Sequence, residues 1–272
     1  MAMKLYERDY TELTDIEESE LHSFREQGAV SSKSSPGLKV CQSLWNCSKA
    51  IRHHLSLFPN HYLDIEDLKD NQSLIKQLEN FQNLLASTDV TEQSITNFIR
   101  QNRAYFIIGS LLKQNFNFGH HDAYLFPEFQ LGNSYKADYL LVGKNSGGWE
   151  FVFVELEAPI GKITLSDGNL GSSFRKGLAQ IETWHTWLQA HYPHLKETFD
   201  KCKRRDADLP NEFLCLDISR HHFVVIAGKR KDFTPDTYLV RRRHQQSSKD
   251  IRILHYDNLL DASQALIGSN TF

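Results

Sequence analysis

Apolar residues recur at helical spacing through the first half of the chain. One set, at intervals of three or four residues, predicts a helical face that ends before Pro59. A second set at 65–85 repeats the pattern, with Asp64 as a suitable N-cap, and Thr91 is placed to cap a third helix. The first set comprises Val40, Leu44, Cys47, Ile51, Leu55 and Phe58. Residues 38–114 are therefore predicted to be mostly helical.

From residue 122 onward the pattern changes to runs of aromatic and β-branched residues, which are typical of strands. The turn sequence NSGG at 145–148 separates the second run from the third. A helix is expected to begin at Ser172 or Ser173, and a long polar connection is expected at 193–212. The predicted strands are 124–131, 137–144, 149–158, 223–227 and 251–256, and the last helix is 257–267. The order β-β-β-α-β-β-α indicates an α/β fold.

Composition narrows the class of protein. The 272 residues carry 31 basic and 34 acidic side chains, a net charge of −3, which excludes a uniformly basic DNA-coating protein. The four cysteines form no C-x-x-C pair, so neither a zinc knuckle nor a redox motif is present. No segment resembles a signal peptide or approaches the ~20 apolar residues that span a membrane. We therefore expect a cytoplasmic protein without membrane contact.

Charge is distributed unevenly along the chain. Residues 1–30 contain eight acidic and three basic side chains, whereas residues 201–256 contain thirteen basic and seven acidic ones. The basic stretch is either solvated surface or a face that meets phosphate. The sequence SSKSSPG at 31–37 has linker composition. We expect an acidic leader and linker over 1–36, a helical region over 37–90 and an α/β domain over 91–272.

Acidic residues interrupt two neighbouring strands that are otherwise apolar. Glu155 and Glu157 stand two residues apart, so their side chains point to the same face of the strand. If the loop at 145–148 closes a hairpin, Asp138 lies opposite Glu155 and Lys136 lies opposite Glu157. Opposed residues on one face have Cβ atoms roughly 4.5–5.5 Å apart. The register therefore predicts a small patch of three carboxylates and one ammonium group.

Two opposed carboxylates repel each other unless a positive charge lies between them. Mg²⁺ is a suitable charge, because this hard cation binds through one or two carboxylates together with substrate phosphate. The alternative is purely structural, with Lys136 and Glu157 as a cross-strand salt bridge and Glu155 solvated at the strand end. The spacing of the residues leaves both interpretations open.

The acidic hairpin and the helix that bears Gln180 resemble the core of PD-(D/E)xK nucleases, which is a central mixed sheet flanked by helices. Seven short stretches, in order over about residues 95–265, are similar to the Shedu anti-phage defence proteins. They are FIRQN (98–102), PEFQLG (127–132), ADYLL (137–141), VELEAP (154–159), QIETW (180–184), VIAGKR (225–230) and ILHYD (253–257). The resemblance extends to none of the first 90 residues.

The resemblance implies metal-dependent cleavage of nucleic acid, with DNA as the expected substrate, in phage defence. Asp138 and Glu155 would hold Mg²⁺ or Mn²⁺, with help from the main-chain carbonyl of Leu156, and Gln180 would orient the site. The metal would polarise the phosphoryl oxygen and lower the pKa of the attacking water. The resemblance also implies a homo-oligomer and is compatible with a phage-encoded trigger.

One position departs from the family pattern. The family usually has Lys two residues after the strand glutamate, and this chain has Glu157. Glu157 can act as a general base or as a ligand to a second metal, and the missing cation can come from Lys136, Arg175 or Lys176. The other possibility is a catalytically silent module that binds nucleic acid or a phage protein on the same fold.

Other candidate residues have ordinary explanations beside the functional ones. Glu128 is either an outer ligand of the same site or an exposed strand acid. Trp184 and Trp187 are expected to pack their helix on the sheet, with base stacking as the alternative. The histidine pairs at 53–54, 120–121 and 221–222 lack further ligands at zinc-like spacing. The basic groups at 201–205, 229–231 and 241–243 either contact phosphate or are solvated.

Overall fold

A five-stranded mixed sheet forms the centre of the computed structural model, which describes residues 4–31, 44–165, 168–248 and 250–272. Strands β1 to β3 are antiparallel, and β3, β4 and β5 are parallel, in the spatial order of the sequence. The strands are β1 (Asp122–Leu131), β2 (Tyr135–Asn145), β3 (Gly148–Leu156), β4 (His221–Ile226) and β5 (Ile251–Leu254). The predicted α/β class with a mixed sheet is confirmed. Most of the predicted linker (32–37), and Val40, lie outside the described residues.

Helices fill most of the described chain between residue 44 and the sheet, as predicted, and one further helix lies in the acidic leader, where none was predicted. They are α1 (Asp15–Ser31), α2 (Lys49–Leu55), α3 (Asn71–Ala86), α4 (Glu92–Gln101) and α5 (Phe106–Leu111). Asp64 caps the short 3₁₀ helix Ile65–Lys69 by accepting a hydrogen bond from the main-chain N–H of Glu66. Thr91 and Ser94 cap α4 reciprocally. Helix α2 ends before the predicted Phe58, because Ser56 is extended and its hydroxyl donates to the carbonyl of His53.

Two helices of the second half were absent from the prediction. The helices there are α6 (Ser172–His191), α7 (Leu195–Asp200), α8 (Pro235–Ser247) and α9 (Tyr256–Leu266). Helix α7 lies within the expected polar connection, and α8 separates β4 from β5, so the order β-β-β-α-β-β-α was incomplete. Helix α8 buries only Thr237 fully and therefore shows no apolar stripe. Its signals are the capping box at Thr234 and Pro235 in its first turn.

Each face of the sheet carries its own hydrophobic core, because alternate residues of a strand point to opposite faces. Val152 and Val154 share one core with α3, α4, α5 and α9. Phe151 and Phe153 share the other core with α6. Helices α3, α4 and α5 therefore build much of one of its two cores. Within the described residues, no helix is both long and apolar enough to cross a membrane.

Candidate active site

The β2–β3 hairpin has the register that the four-residue loop predicted. Lys144 pairs with Trp149, and the pairing continues to Tyr139 and Val154. One further step of this register places Asp138 beside Glu155. The Asp138 carboxylate accepts a hydrogen bond from the main-chain N–H of Leu156 at 2.7 Å. The side chain of Asp138 thus bonds to β3 just beyond the last backbone pair of the two strands.

Glu155 and Glu157 lie at the carboxyl end of β3 and are buried, at 4% and 3% exposure. Their alternation with Val154 and Leu156 directs both towards the face of the sheet that α6 covers. Glu157 follows the last residue of β3, yet its N–H still donates to the carbonyl of Ile226 in β4 at 2.8 Å. The buried hydroxyl of Tyr256 donates to the Glu157 carbonyl at 2.8 Å. The backbone at Glu157 is therefore held from two sides.

Helix α6 brings a cation and an amide to these carboxylates. The Nζ atom of Lys176 lies 3.0 Å from Oε1 of Glu157, and the side chain of Gln180, one turn later, lies near enough to Glu155 to lower its pKa in part. Gly177 allows this approach, because a Cβ atom there would lie 2.6 Å from Cγ1 of Val225. Lys176 of α6 therefore supplies a positive charge directly beside Glu157.

Lys136 does not occupy its predicted place. Its Nζ atom lies 3.0 Å from Oε1 of Glu128, on the neighbouring strand β1. The predicted contact of Lys136 with Glu157 is wrong, because the β2–β3 pairing stops at Tyr139 and α6 supplies the partner of Glu157. Glu128 has a φ of +48° within a strand and exposes its side chain. Lys136 remains near enough to Asp138 to lower its pKa in part.

Glu92 is a further acidic residue near the site, which the sequence did not indicate. It stands in the first turn of α4, and its charge contributes to raising the pKa values of Asp138, Glu155 and Glu157. Acidic residues are common in first helical turns, since they complement the helix dipole. The sequence around Glu92 therefore does not indicate that its side chain lies near the site carboxylates, because that depends on how α4 packs against the sheet.

Burial and mutual repulsion hold the central carboxyl groups towards their protonated forms. Burial raises the pKa of Asp138 to about 6, although the N–H of Leu156 opposes this shift. Burial, reinforced by the charges of Asp138 and Glu157, raises the pKa of Glu155 to about 9. Burial also raises the pKa of Glu157, against the opposing effect of Lys176. At neutral pH the pair of Asp138 and Glu155 therefore retains a proton.

The donor set suits a hard divalent cation. Asp138 and Glu155 offer carboxylate oxygens that lack a full counter-charge, and Oε1 of Gln180 is buried without a hydrogen-bond partner. Across the described ranges, no three His, Cys, Asp or Glu side chains are grouped as a metal site. A cation here would therefore combine two carboxylates with other oxygens, which is the usual manner of Mg²⁺.

A family model described as Shedu protein SduA, C-terminal, matches residues 89–260. The chain belongs to the Shedu family. The match covers more than half of the chain and includes all the acidic residues above together with Lys176 and Gln180. Membership of the Shedu family supports a role in anti-phage defence. No curated protein matches the chain.

Several of the other candidates in this Shedu chain have structural partners. His221 is buried and stacks on Phe151, and His222 lies 3.1 Å from a carboxylate oxygen of Glu150. Trp184 is 1% exposed and packs in the sheet core, as predicted. Arg204, in the basic group at 201–205, bonds Asp206 and a main-chain carbonyl. These residues therefore serve the fold.

Proposed function

We propose that this Shedu protein is a metal-dependent nuclease of the PD-(D/E)xK type, which hydrolyses phosphodiester bonds of DNA in anti-phage defence. The observation that carries the proposal is the pair of half-buried Asp138 and buried Glu155, which lie together with no arginine or lysine of the described residues bonded to either carboxylate; their pKa values are raised chiefly by burial. Two carboxylates with a structural role would be stabilised by a nearby arginine or lysine. Carboxylates that bind a metal instead remain without a full counter-charge until the ion binds.

Asp138 and Glu155 are the residues that would hold Mg²⁺ or Mn²⁺. Such an ion polarises a phosphoryl oxygen and lowers the pKa of bound water when it is present. Gln180 is proposed to orient the carboxylate of Glu155, whose pKa its amide lowers in part. The N–H of Leu156 fixes Asp138 by a hydrogen bond. Both ligands are thus oriented before substrate arrives, which preserves their geometry during turnover.

Lys176 and Glu157 are proposed to share the two roles of the usual motif lysine, which are to stabilise charge on phosphate and to help activate water. The Lys176 side chain is 63% exposed, so its ammonium group can meet a phosphate while it remains anchored to Glu157. Burial raises the pKa of Glu157, which makes this carboxylate a better proton acceptor for an attacking water. Lys176 is therefore proposed to stabilise charge on phosphate, and Glu157 to act as general base.

The alternative is a catalytically silent module that binds nucleic acid or a phage protein. Two observations favour it: Glu157 stands where the family usually has lysine, and no three acidic or other metal-binding side chains of the described segments are grouped as a metal site. Such a module would bind nucleic acid equally well with EDTA and would show no turnover.

Cleavage assays separate the two functions. Linear duplex and single-stranded DNA are incubated with Mg²⁺ or Mn²⁺ and with wild type, Asp138→Asn, Glu155→Gln or the control Glu182→Gln, an exposed glutamate of α6. We expect both site variants to lose at least about 100-fold in rate, because each removes a metal ligand, and the control to keep its rate. Equal rates in all four proteins would refute the assignment of the site.

A further inference from the structure

A groove of about 680 Å³ runs between the end of β1 and the end of α6, within the size range of ligand sites. Glu128 and Gly132 line one side, and the β1–β2 turn forms part of the same wall. The other side carries Trp187, His191 and His194, and Lys201 stands after α7. We call it the aromatic groove.

Three of the aromatic rings that line the groove, those of Trp187, His191 and His194, form a continuous row. The ring centroids of Trp187 and His191 are 5.5 Å apart, and those of His191 and His194 are 5.7 Å apart. His191 and His194 are exposed, and Trp187 is half-buried against the turn at Gly132. Trp184 already packs α6 on the sheet, so the exposed ring faces are not required for the core.

Helix α6 connects the aromatic groove with the candidate active site. Gln180 and Trp187 are seven residues apart, which is about 10 Å along a helix and about three stacked nucleotides. Successive residues of a helix are rotated by roughly 100° around its axis. Four side chains of α6 therefore fall within an arc of about 60° on one face: Lys176, Gln180, Trp187 and His191. Across the sheet, the pairs flanking Glu128 place it opposite Asp138, so the groove and the carboxylates lie at the same end of neighbouring strands.

Charge in the groove is balanced and not strongly positive. Lys136 neutralises Glu128 at 3.0 Å, and Lys201 offers an exposed ammonium group. The carboxylate of Glu197 also lines the groove and opposes phosphate. Recognition here must therefore come chiefly from the faces of the rings and only in part from phosphate contacts.

We propose that the aromatic groove binds an unpaired segment of the DNA substrate, whose bases stack on Trp187, His191 and His194 while the strand continues to Asp138 and Glu155. Stacking on side chains requires bases that have left the duplex, since paired bases already stack on their neighbours. The inference rests on the proposed nuclease function and adds the form of substrate that the site receives.

Binding of a labelled single-stranded oligonucleotide of about 12 nucleotides, measured by fluorescence anisotropy in EDTA, tests the inference. We expect Trp187→Ala and the double variant His191→Ala/His194→Ala each to weaken binding about tenfold or more, because each removes a stacking surface. Trp187→Phe should keep most of the affinity. The matched control is His120→Ala/His121→Ala, which removes an exposed ring pair elsewhere and should bind as wild type does.

The outcomes separate this inference from the nuclease assignment. If Trp187→Ala fails to fold, the histidine double variant decides, because its side chains are exposed. Wild-type affinity of that folded variant would overturn the inference, and so would an equal loss of affinity for a blunt duplex. Binding in EDTA needs no turnover. Groove-dependent binding without cleavage would therefore refute only the nuclease, and cleavage with groove-independent binding would refute only the groove.

Discussion

Two groups of carboxylates within the described residues are compensated differently. The side chain of Asp64 is fully buried, and Nη2 of Arg52 lies 2.9 Å from its Oδ2 atom. The N–H of Glu66 donates to the other oxygen, so both oxygens of Asp64 have partners. Asp138 accepts one main-chain N–H, Glu155 has one neutral amide nearby, and other carboxylates surround them.

The difference distinguishes a structural carboxylate from one kept for a ligand. An arginine partner with good geometry compensates the cost of burying Asp64, and removal of either member would leave a buried charge. The cost at Asp138 and Glu155 appears instead as raised pKa values. The first arrangement stabilises the folded chain, whereas the second reserves the site for a cation. The following predictions test this contrast, from the largest expected effect to the smallest.

Asp64→Ala should destabilise the protein by about 3–5 kcal/mol, because it leaves the guanidinium of Arg52 buried without its partner. Denaturant unfolding measures the change. Glu79→Ala, which removes an exposed acid of α3, should stay within about 0.5 kcal/mol of wild type. A loss below about 1 kcal/mol for Asp64→Ala would show that the two sites do not differ as argued.

Gly177→Ala should destabilise the protein by about 1–3 kcal/mol, since the new Cβ would meet Val225 and push α6 from the sheet. Cleavage should also fall, because Lys176 and Gln180 move with the helix. The exposed Gln189→Ala on the same helix is the control. A gain of about 1 kcal/mol, the intrinsic preference of helices for alanine over glycine, would contradict close packing at Gly177.

Glu155→Gln should flatten the pH dependence of stability in EDTA. The folded pKa of Glu155 is raised above its unfolded value, so its contribution is present at low pH and is lost as pH rises through about 9. Between pH 5 and 9, wild type should lose at least about 1.4 kcal/mol more than Glu155→Gln, one pKa unit's worth. Unfolding midpoints at several pH values measure this. Parallel curves would contradict the raised pKa.

The parts of the site that depend on residues close in the chain could be predicted from the sequence. The turn at 145–148 set the hairpin register, and the alternation of strand residues placed Glu155 and Glu157 on one face. The apolar stripe of α6 placed Gln180 on the helix that covers them. These features depend on residues close in the chain or paired directly across a hairpin.

The parts that depend on packing escaped prediction. Lys176 meets Glu157 because Gly177 lets α6 approach β4, and Glu92 arrives through the packing of α4. Neither residue is marked by its neighbours in the sequence. Helix α8 was missed because its caps, rather than an apolar stripe, define it. Lys136 was misplaced because the hairpin register was carried beyond the last strand pair.

The most direct test of the metal site is calorimetric titration with Mn²⁺ in two buffers of different ionisation enthalpy. Because Asp138 and Glu155 retain a proton near neutral pH, binding should release protons and tighten as pH rises from 6 to 8. Asp138→Asn should abolish the binding, and Asp64→Asn, if folded, should preserve it. Binding to wild type without proton release, or equal binding by Asp138→Asn, would contradict the account.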